Sequence, residues 1–171
     1  MSTPADQPQQ GTASCWVRST DPRAKGISRA EPLASWYQAR YFCLLAEAYA
    51  QAGLAERGLR VIAEARDHVA KSEEHMWEGE LARIEGELMR ARGASVPEVE
   101  ACFKRAIAIT RAQGARSLEL RAALNLAHLW CDQGRRSDAR ALLTPTFSWF
   151  TEGFETRDLK EVKALLDALH A

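Results

Sequence analysis

Residues able to do acid–base, nucleophilic or metal chemistry are present in this chain, but not in the spacings such chemistry needs. The four histidines, His68, His75, His128 and His170, are dispersed, and no H-E-x-x-H or paired His–Cys spacing puts two ligands on one helical face. Four cysteines, Cys15, Cys43, Cys102 and Cys131, form no C-x-x-C half-site and are too few and scattered for a disulfide framework. The last three fall inside helical patterns, where cysteine serves as a small buried hydrophobe. Carboxylates are plentiful, Glu73 with Glu74, Glu78 with Glu80, Glu85 with Glu87. In so helical a chain they are expected on solvated faces, as i,i+4 partners of Lys and Arg. No G-x-S-x-G marks a serine nucleophile and no G-x-x-x-x-G-K-[ST] a phosphate loop. The expectation is no catalytic residue, no metal site and no cofactor.

Charge and hydropathy narrow the partners. Lys plus Arg equals Asp plus Glu at 23 each, so no global positive field exists to hold a phosphate backbone, and nucleic acid is not an expected partner. Apolar runs are a few residues long, far short of the ~20 of a spanning helix, and the N-terminus has no compact apolar block. No membrane association is expected, and cytoplasmic residence is the default. Residues 1–34 hold four of the six prolines, Pro4, Pro8, Pro22 and Pro32, and read as a disordered tail. Its cations Arg18, Arg23, Lys25 and Arg29 are diluted by Asp6, Asp21 and Glu31, as in a solvated segment rather than a targeting one. Residues 35–171 form the folded domain.

That domain is organised around Arg121–Leu143, RAALNLAHLWCDQGRRSDARALL, which reads as a helix, a stop at Gly134 and a second helix folding back. Gly53 and Gly93 close apolar helical runs at spacings of about 40 and 41 residues, within the window of helical repeats. Ser35 with Gln38, and Ser95 with Glu98, are capping boxes for the first and fourth helices, with Pro97 in the first turn of the latter. The first helix presents Tyr41, Leu44, Leu45, Ala48, Tyr49 and Ala52 at helical spacing. Lys71–His75 is read as a loop before a third helix at about 76–92. Pro145 predicts a kink, or an end at Thr144, with Phe147, Trp149 and Phe150 packed inward. A last helix at about 157–170 carries Leu159, Val162, Leu165, Leu166 and Leu169 on one face, as a terminal capping helix requires.

Three aligned units resemble tetratricopeptide (TPR) repeats. Leu45, Ala46, Tyr49 and Gly53 fit the pattern in the first unit, followed by Gly58, Ile62 and Ala65. Gly86, Met89, Gly93, Val99, Phe103 and Ala106 fit in the second, with Glu85 where a large apolar residue is usual. Leu126, Ala127, Trp130, Gly134, Ala139 and Leu143 fit in the third, with Thr146 in place of a small Ala. The small residues Ala46, Gly86 and Ala127 mark where each first helix meets its own second helix at 8–10 Å. The resemblance implies an all-α fold, an α-α superhelix or TPR-like solenoid of three antiparallel helix pairs plus a C-terminal capping helix. Its units are about 36–72, 76–114 and 116–151. The longer units also resemble the C-terminal repeat region of large bacterial ATPase/cyclase-type signalling regulators, of which this chain would be a fragment without the ATPase parts.

Carrying the family's inward positions over implies a concave binding groove. The first unit would supply Arg40, Cys43, Glu47 and Gln51; the second Glu80, Arg83, Glu87 and Arg90; the third Arg121, Leu124, His128, Cys131 and Asp132. The expected function is a non-catalytic protein–protein interaction or regulatory scaffold, with groove arginines pairing carboxylates of a peptide or helix. The alternatives are a small all-helical enzyme with its site in the groove and a nucleic-acid-binding regulator. Tyr37, Tyr41 and Phe42 precede any covering helix. That exposed N-terminal end suggests a homodimer contact, a partner helix or a truncated array.

Overall fold

The computed structural model describes residues 34–72 and 75–170, with side chains from Gln38 onward. The expected tail, apart from Ala34, the cap at Ser35, the side chains of Trp36 and Tyr37, and Glu73 with Glu74 all lie outside what it describes. The described residues hold seven α-helices and no strand: α1 (Ala34–Gln51), α2 (Ala55–Ser72), α3 (Glu78–Ala91), α4 (Val96–Ala112), α5 (Arg116–Asp132), α6 (Arg136–Phe147) and α7 (Arg157–His170). A single 3₁₀ turn, His75–Trp77, precedes α3. It falls where the loop and the start of the third helix were expected, because the chain enters α3 through Trp77 without a side-chain cap.

One turn chemistry ends four of these helices. Gly53 has φ of 71°, its N–H bonds the Ala50 carbonyl at 3.1 Å, and the Leu54 N–H reaches back to Tyr49 at 2.9 Å. The same pair of bonds follows Gly93, Gly114 and Gly134. This is the Schellman arrangement, which satisfies terminal carbonyls through a left-handed residue that glycine adopts without steric cost. The next helix therefore starts within a few residues and folds back. At α4 the expected capping box is present, with the Glu98 carboxylate accepting from the Ser95 N–H at 3.0 Å and from its Oγ at 2.5 Å. These bonds hold the Glu98 carboxyl below its ordinary range.

Each helix packs most extensively on its neighbour in sequence. In addition α3 touches α1, α5 touches α3, and α7 touches α5. Two apolar clusters result. One joins α1, α2 and α3 through Cys43, Ala46, Ile62, Ala65, Ile84 and Leu88; the other runs from α3 to α7 through Ala82, Phe103, Leu126, Leu143 and Val162. Helix α3 belongs to both.

Of the positions that the resemblance assigns to repeat packing, Ala46, Phe103, Ala106, Ala127, Trp130 and Ala139 are buried, Gly86 packs against the Phe103 ring, and Tyr49 and Met89 are partly buried against the core. Leu45 is not: it is 46% exposed, whereas Leu126 at the matching position of α5 is 1% exposed. The difference is positional. Helix α5 packs against a preceding α4, while among the described residues the α-helices packed on α1 are α2 and α3. Tyr41, Leu44 and Ala48 on α1 are exposed for the same reason.

Of the two outcomes expected at Pro145, the end at Thr144 does not occur, since α6 continues through the proline to Phe147. Pro145 has no N–H to give the Ala141 carbonyl, so the helix passes it without that bond. Nearby, Thr144 Oγ1 donates to the Arg140 carbonyl at 2.9 Å and Thr146 Oγ1 to that of Leu142 at 2.9 Å. Phe147 and Phe150 pack on the core, but Trp149 points outward, 62% exposed, with the Arg116 guanidinium 3.9 Å over its ring. None of the described helices is long and apolar enough to cross a membrane.

Candidate functional site

Helical periodicity sends one rank of side chains from each odd-numbered helix to the same side of the molecule. There they line a cleft of about 540 Å³: Glu47, Ala50 and Gln51 from α1, Arg83, Glu87, Arg90 and Ala91 from α3, Arg121, Leu124, Asn125 and His128 from α5, and Arg157, Asp158 and Glu161 from α7. Phe103 of α4 contributes to the apolar floor.

Three of these lining groups, Glu47, Arg83 and Arg121, form a closed ring with Glu80 beneath them. Glu80 and Arg83 are only 1% and 3% exposed. Arg83 donates to Glu80 through Nε at 3.1 Å and Nη2 at 2.8 Å, and Nη2 also reaches Glu47 Oε1 at 3.0 Å. Arg121 closes the ring from α5, at 2.6 Å to Glu80 and 3.0 Å to the same Glu47 oxygen. Burial alone would discharge such groups, so each must be paired and hydrogen-bonded. Desolvation pushes the Arg83 guanidinium toward deprotonation, but its bonds to Glu80 and the neighbouring carboxylates prevail and hold its pKa above the ordinary arginine value. Glu87 accepts from Arg83 Nη1 at 2.8 Å and from Asn125 Nδ2 at 2.6 Å. On the same face Arg90 pairs with Asp132 at 2.6 Å.

These bonds have a common sequence interval. Arg83 to Glu47, Arg121 to Glu80, Asn125 to Glu87 and Arg90 to Asp132 span 36, 41, 38 and 42 residues, which is one repeat. Matching positions on successive inner helices thus carry complementary groups.

Of the groove residues expected from sequence, Glu47, Gln51, Arg83, Glu87, Arg90, Arg121, Leu124 and His128 line the cleft. Five do not. Arg40 stacks over the Trp77 ring at 4.9 Å. Glu80 lies under the cleft, and Asp132 meets it only through Arg90. Cys43 is in the core; burial first, and Glu80 second, push its thiol from 9.0 up to about 12. Cys131 packs against the larger apolar cluster, and burial raises its pKa as well.

Sequence reasoning missed Asn125 and the α7 trio of Arg157, Asp158 and Glu161. The terminal helix had been assigned packing only, although Asn125 could have been found as the residue one repeat beyond Glu87. The expectation that the carboxylates sit on solvated faces as i,i+4 partners holds for Glu87, which pairs with Arg83, and fails for Glu80 and Glu85. Glu80 and Glu119 are 1% and 3% exposed, the latter held by Arg111 and Arg116 at 2.8 and 2.9 Å, and Glu85 joins Arg66 of α2 to Arg105 of α4. They act as interhelical ties because mixed-charge helix faces meet one another here rather than water. Among the described residues no group of His, Cys, Asp and Glu is arranged to hold a metal ion. No protein-family model, curated protein or solved structure matches the chain.

Proposed function

We propose that residues 35–171 are a TPR-like solenoid of three antiparallel helix pairs closed by α7. It serves as a non-catalytic interaction or regulatory scaffold that binds a peptide or helix in the concave cleft. The observation that carries this reading is the cleft itself, to which α1, α3, α5 and α7 each give side chains, joined by contacts one repeat apart. An open trough of stacked first helices is how helical repeats present an extended binding surface. The sequence resemblance to regulator repeat regions supplies signalling as its setting.

One element of the sequence reading changes within this proposal. Arg83 and Arg121 are engaged by Glu47 and Glu80, so they hold the walls of the cleft together instead of meeting a partner. The test is selection of randomised peptides on the full chain, followed by binding to Gln51→Trp, Ala91→Trp, a variant that fills the cleft from two exposed lining positions. Affinity of the selected peptides is expected to fall about tenfold or more, with melting unchanged. Peptides that bind both proteins equally, or no enrichment at all, would overturn the reading.

A further inference from the structure

Charge inside the cleft does not balance, and the imbalance has a place. Four carboxylates and four guanidinium groups line it, Glu47, Glu87, Asp158 and Glu161 against Arg83, Arg90, Arg121 and Arg157. Two further carboxylates draw on those arginines from outside the lining. Glu80 binds both Arg83 and Arg121 from below, and Asp132 binds Arg90. Counted with these two, the lining groups carry two negative charges in excess.

One of the two lies in the ring, where Glu47, Glu80 and Glu87 share Arg83 and Arg121, and the other lies on α7, where Asp158 and Glu161 stand beside Arg157. Glu47 and Glu87 are held at 2.8–3.0 Å by ring arginines. Asp158 has only Arg121 Nε at 3.7 Å, and Glu161 only His128 Nε2 at 3.6 Å, both beyond a hydrogen bond. Both α7 side chains are more than 40% exposed. His128 offers at most one compensating charge, when protonated. Arg157 is the lining guanidinium without an ion pair among the described residues. Leu124 and Phe103 make the nearby floor apolar.

We infer that the cleft takes a basic segment of its partner, a peptide whose Lys or Arg side chains bring their cationic ends to Asp158 and Glu161 on α7. The inference rests on the cleft being the binding surface, as proposed above. It reverses the sign that the groove arginines suggest in the sequence. Opposite charge at a partly hydrated surface governs association rate and partner choice, and its effect weakens with salt.

The probes are two end-blocked synthetic peptides of one Ala/Leu/Gln frame, one bearing lysines and the other glutamates at the same positions. Binding to the full chain is followed by fluorescence anisotropy at low and at physiological ionic strength. The lysine peptide is expected to bind about tenfold or more tighter, with a preference that shrinks as salt rises. Asp158→Asn with Glu161→Gln should weaken it about tenfold. Arg157→Gln should tighten it severalfold, a gain that lost folding cannot produce.

The inference is overturned if the glutamate peptide binds as well, if neither peptide binds, or if both sets of variants leave the lysine peptide unaffected. The cleft-filling variant separates the two proposals. Selected peptides that are acidic yet lost on filling the cleft would sink the charge assignment alone. Selected peptides indifferent to filling would sink the binding surface as well.

Discussion

Gly86 sits where α3 packs on α4, and a Cβ built there would lie 2.6 Å from Cε1 of the Phe103 ring. Phe103 is 1% exposed and has no room to withdraw. Gly86→Ala gains about 1 kcal/mol of helix propensity, but overpacking costs about 1–3 kcal/mol, so a net loss of roughly 1 kcal/mol is expected from urea denaturation. A stabilised variant would mean that the two helices stand farther apart. The resemblance to the repeat pattern disclosed this position, since Gly86 stands where that pattern takes a small residue. Cys43 was less legible. Its type fitted both a groove residue and a core hydrophobe, and only the neighbours supplied by other helices decide between them. With its thiol raised from 9.0 to about 12, the native state favours the protonated form. The resulting stability is complete below the unfolded value of 9.0 and is lost as pH rises through about 12. In a Cys15→Ser background, Cys43 should resist a thiol reagent in the native protein at neutral pH and react on unfolding, while partly exposed Cys131 reacts sooner. Rapid native labelling of Cys43 would place it at the surface.

Helix ends were readable because they are local: a glycine in the left-handed conformation and a Ser–x–x–Glu box need only their own segment of chain. Helix faces were readable only where both neighbours exist. On α5 the apolar stripe lies between α4 and α6, and Leu126, Ala127 and Trp130 are all 9% exposed or less. On α1 the same spacing pointed to Tyr41, Leu44 and Leu45, yet the buried rank is Ala39, Cys43 and Ala46. Small residues are what allow α1 to approach α2 and α3, whereas its larger ones meet no helix among the described residues. At Pro145 the expected end at Thr144 failed because the segment around it, with Leu143 and Thr146 buried, is held helical by packing. Ala127 tests the register assigned to the third unit. Its side chain is fully buried in a helix that packs closely on α4 and α6. Ala127→Trp should therefore lower stability by about 3 kcal/mol or more, the upper end of overpacking, read from the denaturation midpoint. A melt indistinguishable from wild type would show that α5 presents a different face to its neighbours.

At the scale of the molecule, two apolar clusters are joined by α3 and by the charged ring that links α1, α3 and α5, with α7 reached through Arg121 and Asp158. The ring was invisible when each helix was read alone, because Glu80 and Arg83 look like an ordinary i,i+3 surface pair. It becomes legible only when opposite charges are sought one repeat apart. Such a ring adds little net stability over an apolar equivalent, because desolvation offsets most of the attraction, yet breaking it leaves a buried charge uncompensated. Arg83→Met removes the group that donates to Glu80 through two nitrogens and also holds Glu47 and Glu87. Glu80, 1% exposed, would keep Arg121 alone. The expected cost is about 3–5 kcal/mol in equilibrium unfolding. If the ring acts as a unit, Glu80→Met in the same chain should restore part of that loss, with a coupling above about 1 kcal/mol in the double-mutant cycle. Because the ring forms part of the cleft wall and Arg83 holds Glu47 and Glu87 there, Arg83→Met should also weaken binding of any cleft-dependent peptide, even though Arg83 itself is almost wholly buried. Additive losses with peptide binding intact would instead make these residues independent surface pairs, and the cleft walls would owe their spacing to apolar packing alone.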